Sequence, residues 1–255
     1  MIVRRVIGDG PRVTVWVHGW LRSSRMFEPL MPFMDSQTER WIMVDLPGYG
    51  ETRASPGEFT VDGAVMELIR FAAETGLERV RWVGHSMGGL VIQRLAHKAP
   101  ERVASLAGIA PVPMDGLLLG ERAREIYRAA CTEEDARFRV LKRLAGPATG
   151  HAAIGRWVTQ SRMETREDAL CTYLESWSVE RKDPSTPAPG TIPFVLVVGA
   201  ADPAITKTLI AKSIAPFYGH FELRVLNGIG HLPVEEDAAG VAQALARWWP
   251  GSPAA

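Results

Sequence analysis

Three features of the chain predict an α/β fold: apolar, β-rich runs that alternate with helical patterns, Gly, Asp or Pro at the ends of those runs, and one long interruption of the alternation. Parallel neighbouring strands need a crossover between them. The alternation therefore predicts a mostly parallel twisted sheet of about seven strands flanked by helices, with an inserted helical cap. The 255 residues suit one enlarged domain. Lys plus Arg and Asp plus Glu each number 29, so no net charge draws the chain to a polyanion or an acidic membrane. That balance argues against a general nucleic-acid binder.

The strands are expected, in order, at Ile2–Ile7, Val13–Val17, Trp41–Val44, Val80–Val83, Val103–Ile109, Phe194–Val198 and Glu222–Leu226. Only one short strand precedes Val13, which predicts an abbreviated front edge. Helices are expected at Asp62–Thr75, Met87–Ala99, Ile205–Ser213 and Glu235–Trp248, where apolar residues recur three and four apart. Between Val112 and Gly190 four helical segments follow one another with no strand: Leu117–Ala130, Glu133–Ala145, Ala152–Arg162 and Arg166–Glu180. The expected division is a core of residues 1–111 and 191–255, and a cap of residues 112–190 that ends in the Pro-rich connector Lys182–Gly190. The tail Pro250–Ala255 is expected to fray. No apolar stretch reaches eighteen residues and the amino terminus has no continuous apolar segment, which predicts a cytoplasmic protein without membrane insertion. Cys131 and Cys171 carry no CxxC or metal-ligand spacing and are expected as reduced thiols.

The chemistry centres on Gly84-His85-Ser86-Met87-Gly88-Gly89, placed after one expected strand and before one expected helix. This is the G-x-S-x-G elbow, which raises a serine above the carboxyl edge of a sheet and aims a helix amino terminus at it. A serine hydroxyl needs a base and usually an orienting acid. Of the six histidines, His231 follows the last strand, in Gly230-His231-Leu232-Pro233. Asp202 follows the strand at Phe194–Val198, giving the chain order Ser, Asp, His, with Asp115 as the second candidate acid. Backbone N–H groups of Met87 and of Trp20, in His18-Gly19-Trp20, are placed to receive an oxyanion. His18 is expected to brace that turn through hydrogen bonds. No Lys-bearing phosphate loop, dinucleotide fingerprint or metal cluster accompanies the serine, so no cofactor and no metal are expected.

Together with Asp45-Leu46-Pro47-Gly48-Tyr49-Gly50, Pro100-Glu101-Arg102-Val103 and Gly199-Ala200-Ala201-Asp202, these motifs resemble the α/β-hydrolase superfamily over nearly the whole chain outside the cap. The short front end, the His-Gly-Trp turn and the cap's size are most similar to its carboxylesterase branch, which includes pimeloyl-carrier-protein methyl ester esterases. His85 departs from that branch, where an apolar or aromatic residue precedes the nucleophile. The resemblance implies Ser86 as nucleophile, His231 as base, Asp202 as orienting acid, and Trp20 and Met87 as the oxyanion hole. It also implies a small-molecule ester substrate. The same triad serves lactonases, thioesterases and carbon–carbon bond hydrolases, and some proteins of this fold are small-molecule receptors. An acyl-carrier partner and the oligomeric state are left open. The cap must roof Ser86. The pocket is expected to be lined by Trp20, Leu21, Met87 and Leu232 from the core and by Trp157, Met163 and Trp177 from the cap, which predicts a small to medium apolar substrate.

Overall fold

The computed structural model describes residues 3–178 and 191–246. The expected strand start at Ile2, the helix ends at Glu180 and Trp248, the connector 182–190 and the tail 250–255 lie outside the described residues. Seven strands form one sheet: β1 (Val3–Ile7), β2 (Arg12–Val17), β3 (Glu39–Asp45), β4 (Val80–His85), β5 (Val103–Ile109), β6 (Phe194–Gly199) and β7 (Phe221–Leu226). Their spatial order is β1-β3-β2-β4-β5-β6-β7. Among the described residues, only the edge strand β1 runs antiparallel, against β3, while the other strand pairings are parallel. The expected mostly parallel sheet with an abbreviated front edge is what forms.

Strand side chains alternate between two apolar layers, the period-two consequence of the pleat. Val15, Val17, Ile42, Val44, Trp82, Leu106 and Leu196 join one core with residues of α1 (Val61–Glu74) and α2 (Met87–Lys98). Trp16, Met43, Val83, Ala107, Val195 and Val197 join the other, beneath Met26, Phe27 and Leu30 and beneath Val241 and Leu245 of α9 (Ala238–Ala246). Met26–Leu30 belong to a 3-10 segment, Ser24–Phe33, that the periodicity did not announce. Pro29 and Pro32 each lack the N–H an α-helix would use there.

Between β5 and β6 come α3 (Glu121–Thr132), α4 (Glu134–Leu144), α5 (His151–Glu164) and α6 (Glu167–Trp177). The first begins later than the pattern implied, because Leu117 N–H is committed to Trp177 O at 3.0 Å in an extended approach. After β6, α7 (Lys207–Ser213) is capped by Thr206, whose side chain accepts from Leu209 N–H, so the helix begins at Lys207 rather than at Ile205. The helix expected at Glu235–Trp248 is two pieces, α8 (Pro233–Glu236) and α9. Asp237 separates them and caps the second by accepting from Gly240 N–H at 2.9 Å. No described helix is long and apolar enough to cross a membrane.

Candidate active site

Each candidate residue sits where a β-strand hands over to a loop at the carboxyl edge of the sheet. Ser86 connects β4 directly to α2 with φ 51° and ψ −115°, a backbone conformation that costs a non-glycine residue on the order of 1–3 kcal/mol. The glycines around it are spatial necessities. A Cβ on Gly84 would lie 2.4 Å from Gly88 O, and one on Gly88 would lie 2.2 Å from Val17 O of the neighbouring strand. The elbow is thus squeezed both against itself and against β2.

His231 approaches from the loop after β7, and its Nε2 lies 2.9 Å from Ser86 Oγ. Its Nδ1 lies 2.8 Å from Asp202 Oδ2. A carboxylate can only accept, so the neutral ring carries its proton on Nδ1 and leaves the Nε2 lone pair for the Ser86 hydroxyl. Asp202 Oδ1 accepts from Ala204 N–H at 2.8 Å and Ile205 N–H at 3.0 Å, so one carboxylate both caps the following turn and aims the histidine. Burial alone would raise the Asp202 pKa. The adjacent His231 and those two N–H groups outweigh it and hold the carboxyl below its ordinary value. It is Asp202, not Asp115, that bonds the His231 ring.

The Trp20 turn is braced as its sequence implied. His18 Nδ1–H donates to Gly19 O at 3.0 Å and His18 Nε2 accepts from Leu46 N–H at 3.1 Å. Burial lowers the His18 pKa, which keeps the ring neutral, as that bonding requires. Leu21 holds φ 62°, a second strained residue beside Ser86. Trp20 Nε1–H donates to Leu170 O of α6 at 2.9 Å.

A cavity of about 30 Å³ stands over Ser86 and His231. Trp20, Leu21, Leu232 and Trp177 line it, joined by Val112, Leu117, Tyr127, Leu141, Leu144 and Ala204. Trp20 stacks on Tyr127 with ring centroids 5.5 Å apart, and Trp177 meets both rings edge-on at 5.8 and 5.9 Å. Three expected lining residues, Trp157, Met163 and Met87, are absent from that lining. Trp157 is buried in the main core, and its carbonyl accepts from Arg22. Met163 is 73% exposed, in a surface depression with Arg25, Asp45 and Glu51. Both fall on α5, whose packed face could be read from periodicity but whose facing partner could not. The Met87 side chain is fully buried and absent from the cavity lining.

Three contributors escaped the motif reading. His85 turns its ring to the base and donates from Nε2 to His231 O at 2.8 Å. Burial, reinforced by the neighbouring His231, pushes its pKa down to about 3, so it is neutral. Arg22, almost wholly buried, pairs with Glu235 and donates to Gln160 Oε1 at 2.8 Å, tying the Trp20 loop to α8 and α5. Glu236 holds the His231 loop. The only sequence signal for this acidic pair was two adjacent carboxylates soon after the histidine, which helix patterning absorbed.

A family model described as the alpha/beta hydrolase family matches residues 14–244. The chain is 36% identical over 112 residues to a dihydrolipoyllysine-residue acetyltransferase component of an acetoin cleaving system from Cupriavidus necator, covering 41% of this chain and 28% of that protein. It is 34% identical over 106 residues to a pimeloyl-acyl-carrier-protein methyl ester esterase from Sodalis glossinidius, covering 42% of this chain and 39% of the relative. The matches thus span less than half the length of these curated relatives. A thermophilic esterase from Thermogutta terrifontis shares the fold, with a TM-score of 0.82 at 21% identity over 97% of this chain and 92% of that one. Because the family match runs unbroken from β2, through the elbow and the inserted helices, into α9, the chain belongs to the alpha/beta hydrolase family.

Proposed function

We propose that the protein is a carboxylic ester hydrolase that works through an acyl-enzyme on Ser86 and prefers small acyl groups. The observation that carries this reading is the unbroken line of hydrogen bonds from Ser86 Oγ through both ring nitrogens of His231 to Asp202. As Ser86 Oγ attacks the ester carbonyl carbon, its proton passes to His231 Nε2, and Asp202 stabilises the imidazolium. The carbonyl oxygen becomes an oxyanion, received by the backbone N–H groups of Trp20 and Met87. Each such donor is worth about 3 kcal/mol. The Nε2 proton then goes to the leaving alkoxide. Water, deprotonated by His231, attacks the acyl carbon, and Ser86 departs with its proton restored. A serine at the elbow does not supply the carboxylate that an alkyl-enzyme ester requires, which argues against epoxide and haloalkane substrates.

Substrate size follows from the roof. The inserted helices α3 to α6 serve as the cap, and Tyr127, Leu141, Leu144 and Trp177 leave about 30 Å³ above the serine. That is room for roughly one water molecule, so an acetyl-sized group needs little adjustment while a long chain must displace the Trp20–Tyr127–Trp177 cluster. The lining contains no Lys, Arg, Asp or Glu, which favours an uncharged acyl group. The likeness to an esterase over 106 residues supports an ester as the bond cleaved.

The test combines a fluorophosphonate probe, intact-mass analysis and p-nitrophenyl esters of rising acyl length. Wild type should take one probe at Ser86, and Ser86→Ala should take none and lose on the order of 10⁴-fold or more in kcat. Absence of labelling in wild type would reject the covalent mechanism. A kcat/KM that climbs through long acyl chains would reject the closed roof.

A further inference from the structure

We infer that Glu236 is a positioning residue for His231: its carboxylate grips the loop of the base on both sides and fastens it to the turn between α4 and α5. The inference rests on the role proposed for His231. Glu236 Oε2 accepts from Gly230 N–H at 3.0 Å and Oε1 from Leu232 N–H at 3.1 Å, the residues immediately before and after the base. The same Oε2 accepts from Gly146 N–H at 2.8 Å and from Thr149 Oγ1–H at 3.3 Å, beyond α4. His231 completes the pattern with its own backbone. Its N–H donates to Leu144 O at 2.7 Å and its carbonyl accepts from His85 at 2.8 Å. Three successive N–H groups, from residues 230 to 232, are therefore held by acceptors outside the loop.

The packing leaves no slack for a substitute. A Cβ on Gly230 would lie 2.3 Å from Gly146 N, and a Cβ on Gly146 would lie 2.4 Å from Glu236 Oε2. The loop and the α4–α5 turn therefore touch backbone to backbone, with the carboxylate as the common acceptor between them. Bonds from N–H groups to an ionised acceptor are stronger than neutral ones, and each donor left unmade in so tight a space carries a desolvation cost. Removing the carboxylate frees the segment that sets where Nε2 stands relative to Ser86 Oγ. It also loosens Leu144, whose carbonyl holds His231 N–H and which lines the cavity.

The experiment compares Glu236→Ala and Glu236→Gln with wild type in the full chain. It measures kcat and KM on p-nitrophenyl acetate, the rate and final extent of fluorophosphonate labelling, and the thermal midpoint. A base displaced by about 1 Å costs on the order of 10²-fold in rate, so Glu236→Ala should lose about that factor in kcat with KM little changed. Its Ser86 should label to completion, but slowly. Glu236→Gln keeps one acceptor oxygen and should recover part of the loss, which also carries the test should the alanine variant fail to fold. Wild-type kcat in either folded variant would overturn the inference, as would a loss that only tracks the unfolded fraction. Ser86→Ala separates the two levels. If it is inactive while Glu236→Ala works normally, only the positioning role falls; if it is fully active, the esterase reading falls as well.

Discussion

The sheet edge and the helical roof meet over the same cavity, yet different physics positions their residues. Ser86, Asp202 and His231 stand one, three and five residues after the ends of β4, β6 and β7, where steric exclusion at Gly84, Gly88, Gly199 and Gly230 restricts the backbone. Tyr127, Leu141, Leu144 and Trp177 stand on helices, and which way they face depends on how four amphipathic segments settle against one another. The edge is built chiefly by close steric constraint, with the His231 loop fastened by Glu236, and the roof by mutual packing. Substitutions at the edge should therefore abolish chemistry while sparing the fold, and substitutions in the roof should trade stability against substrate size.

The largest expected contrast lies between the two carboxylates considered for the acid. Asp202→Asn should lower kcat by roughly 10⁴-fold by favouring the wrong histidine tautomer, by analogy with the serine-protease triad, whereas Asp115→Asn should leave kcat near wild type. Steady-state kinetics on a short-chain ester checks this, and the reverse ranking would move the acid to Asp115. Within the roof, Trp157→Ala should cost about 3–5 kcal/mol of stability, as emptying a buried indole site does, with acyl preference unchanged. Trp177→Ala should instead shift kcat/KM toward longer acyl groups by opening the cavity wall. Denaturant melts paired with an acyl-length series read both effects, and a shift in preference for Trp157→Ala would put that side chain back in the pocket.

A smaller effect belongs to His85. Its folded pKa, about 3, lies below the ordinary histidine value of 6.5, so the unfolded chain binds a proton that the native state refuses. The stability it contributes is complete above pH 6.5 and is lost as pH falls toward 3, and the loss has reached about 2 kcal/mol at pH 5. The groups acting on it are His231, Asp202 and Arg22. Urea melts across that range should show the loss, and His85→Gln should flatten it; an equally steep profile in the variant would assign the acid sensitivity elsewhere. The least change is expected of Met163→Ala. At 73% exposure it should alter stability by no more than about 0.5 kcal/mol and leave acyl preference untouched.

Much of this molecule could be read before it was folded. The strands announced themselves because a sheet covered on both faces needs apolar runs, and Trp16 and Val15 serve opposite layers one residue apart. That the serine, histidine and aspartate come together was legible because the elbow can be built only with small residues at fixed offsets, and because strand ends in a parallel sheet point to one edge. Other features were not written in any local pattern. Glu236 reaches Gly146, ninety positions away, and Arg22 reaches Glu235 across 213, contacts that arise only when the loops are folded together. Trp157 and Trp177 are both tryptophans on amphipathic helices, yet one is packed away from the cavity and the other walls it. Local sterics determine a turn from a handful of neighbouring residues, whereas a helix face is assigned its neighbours only by the packing of the whole.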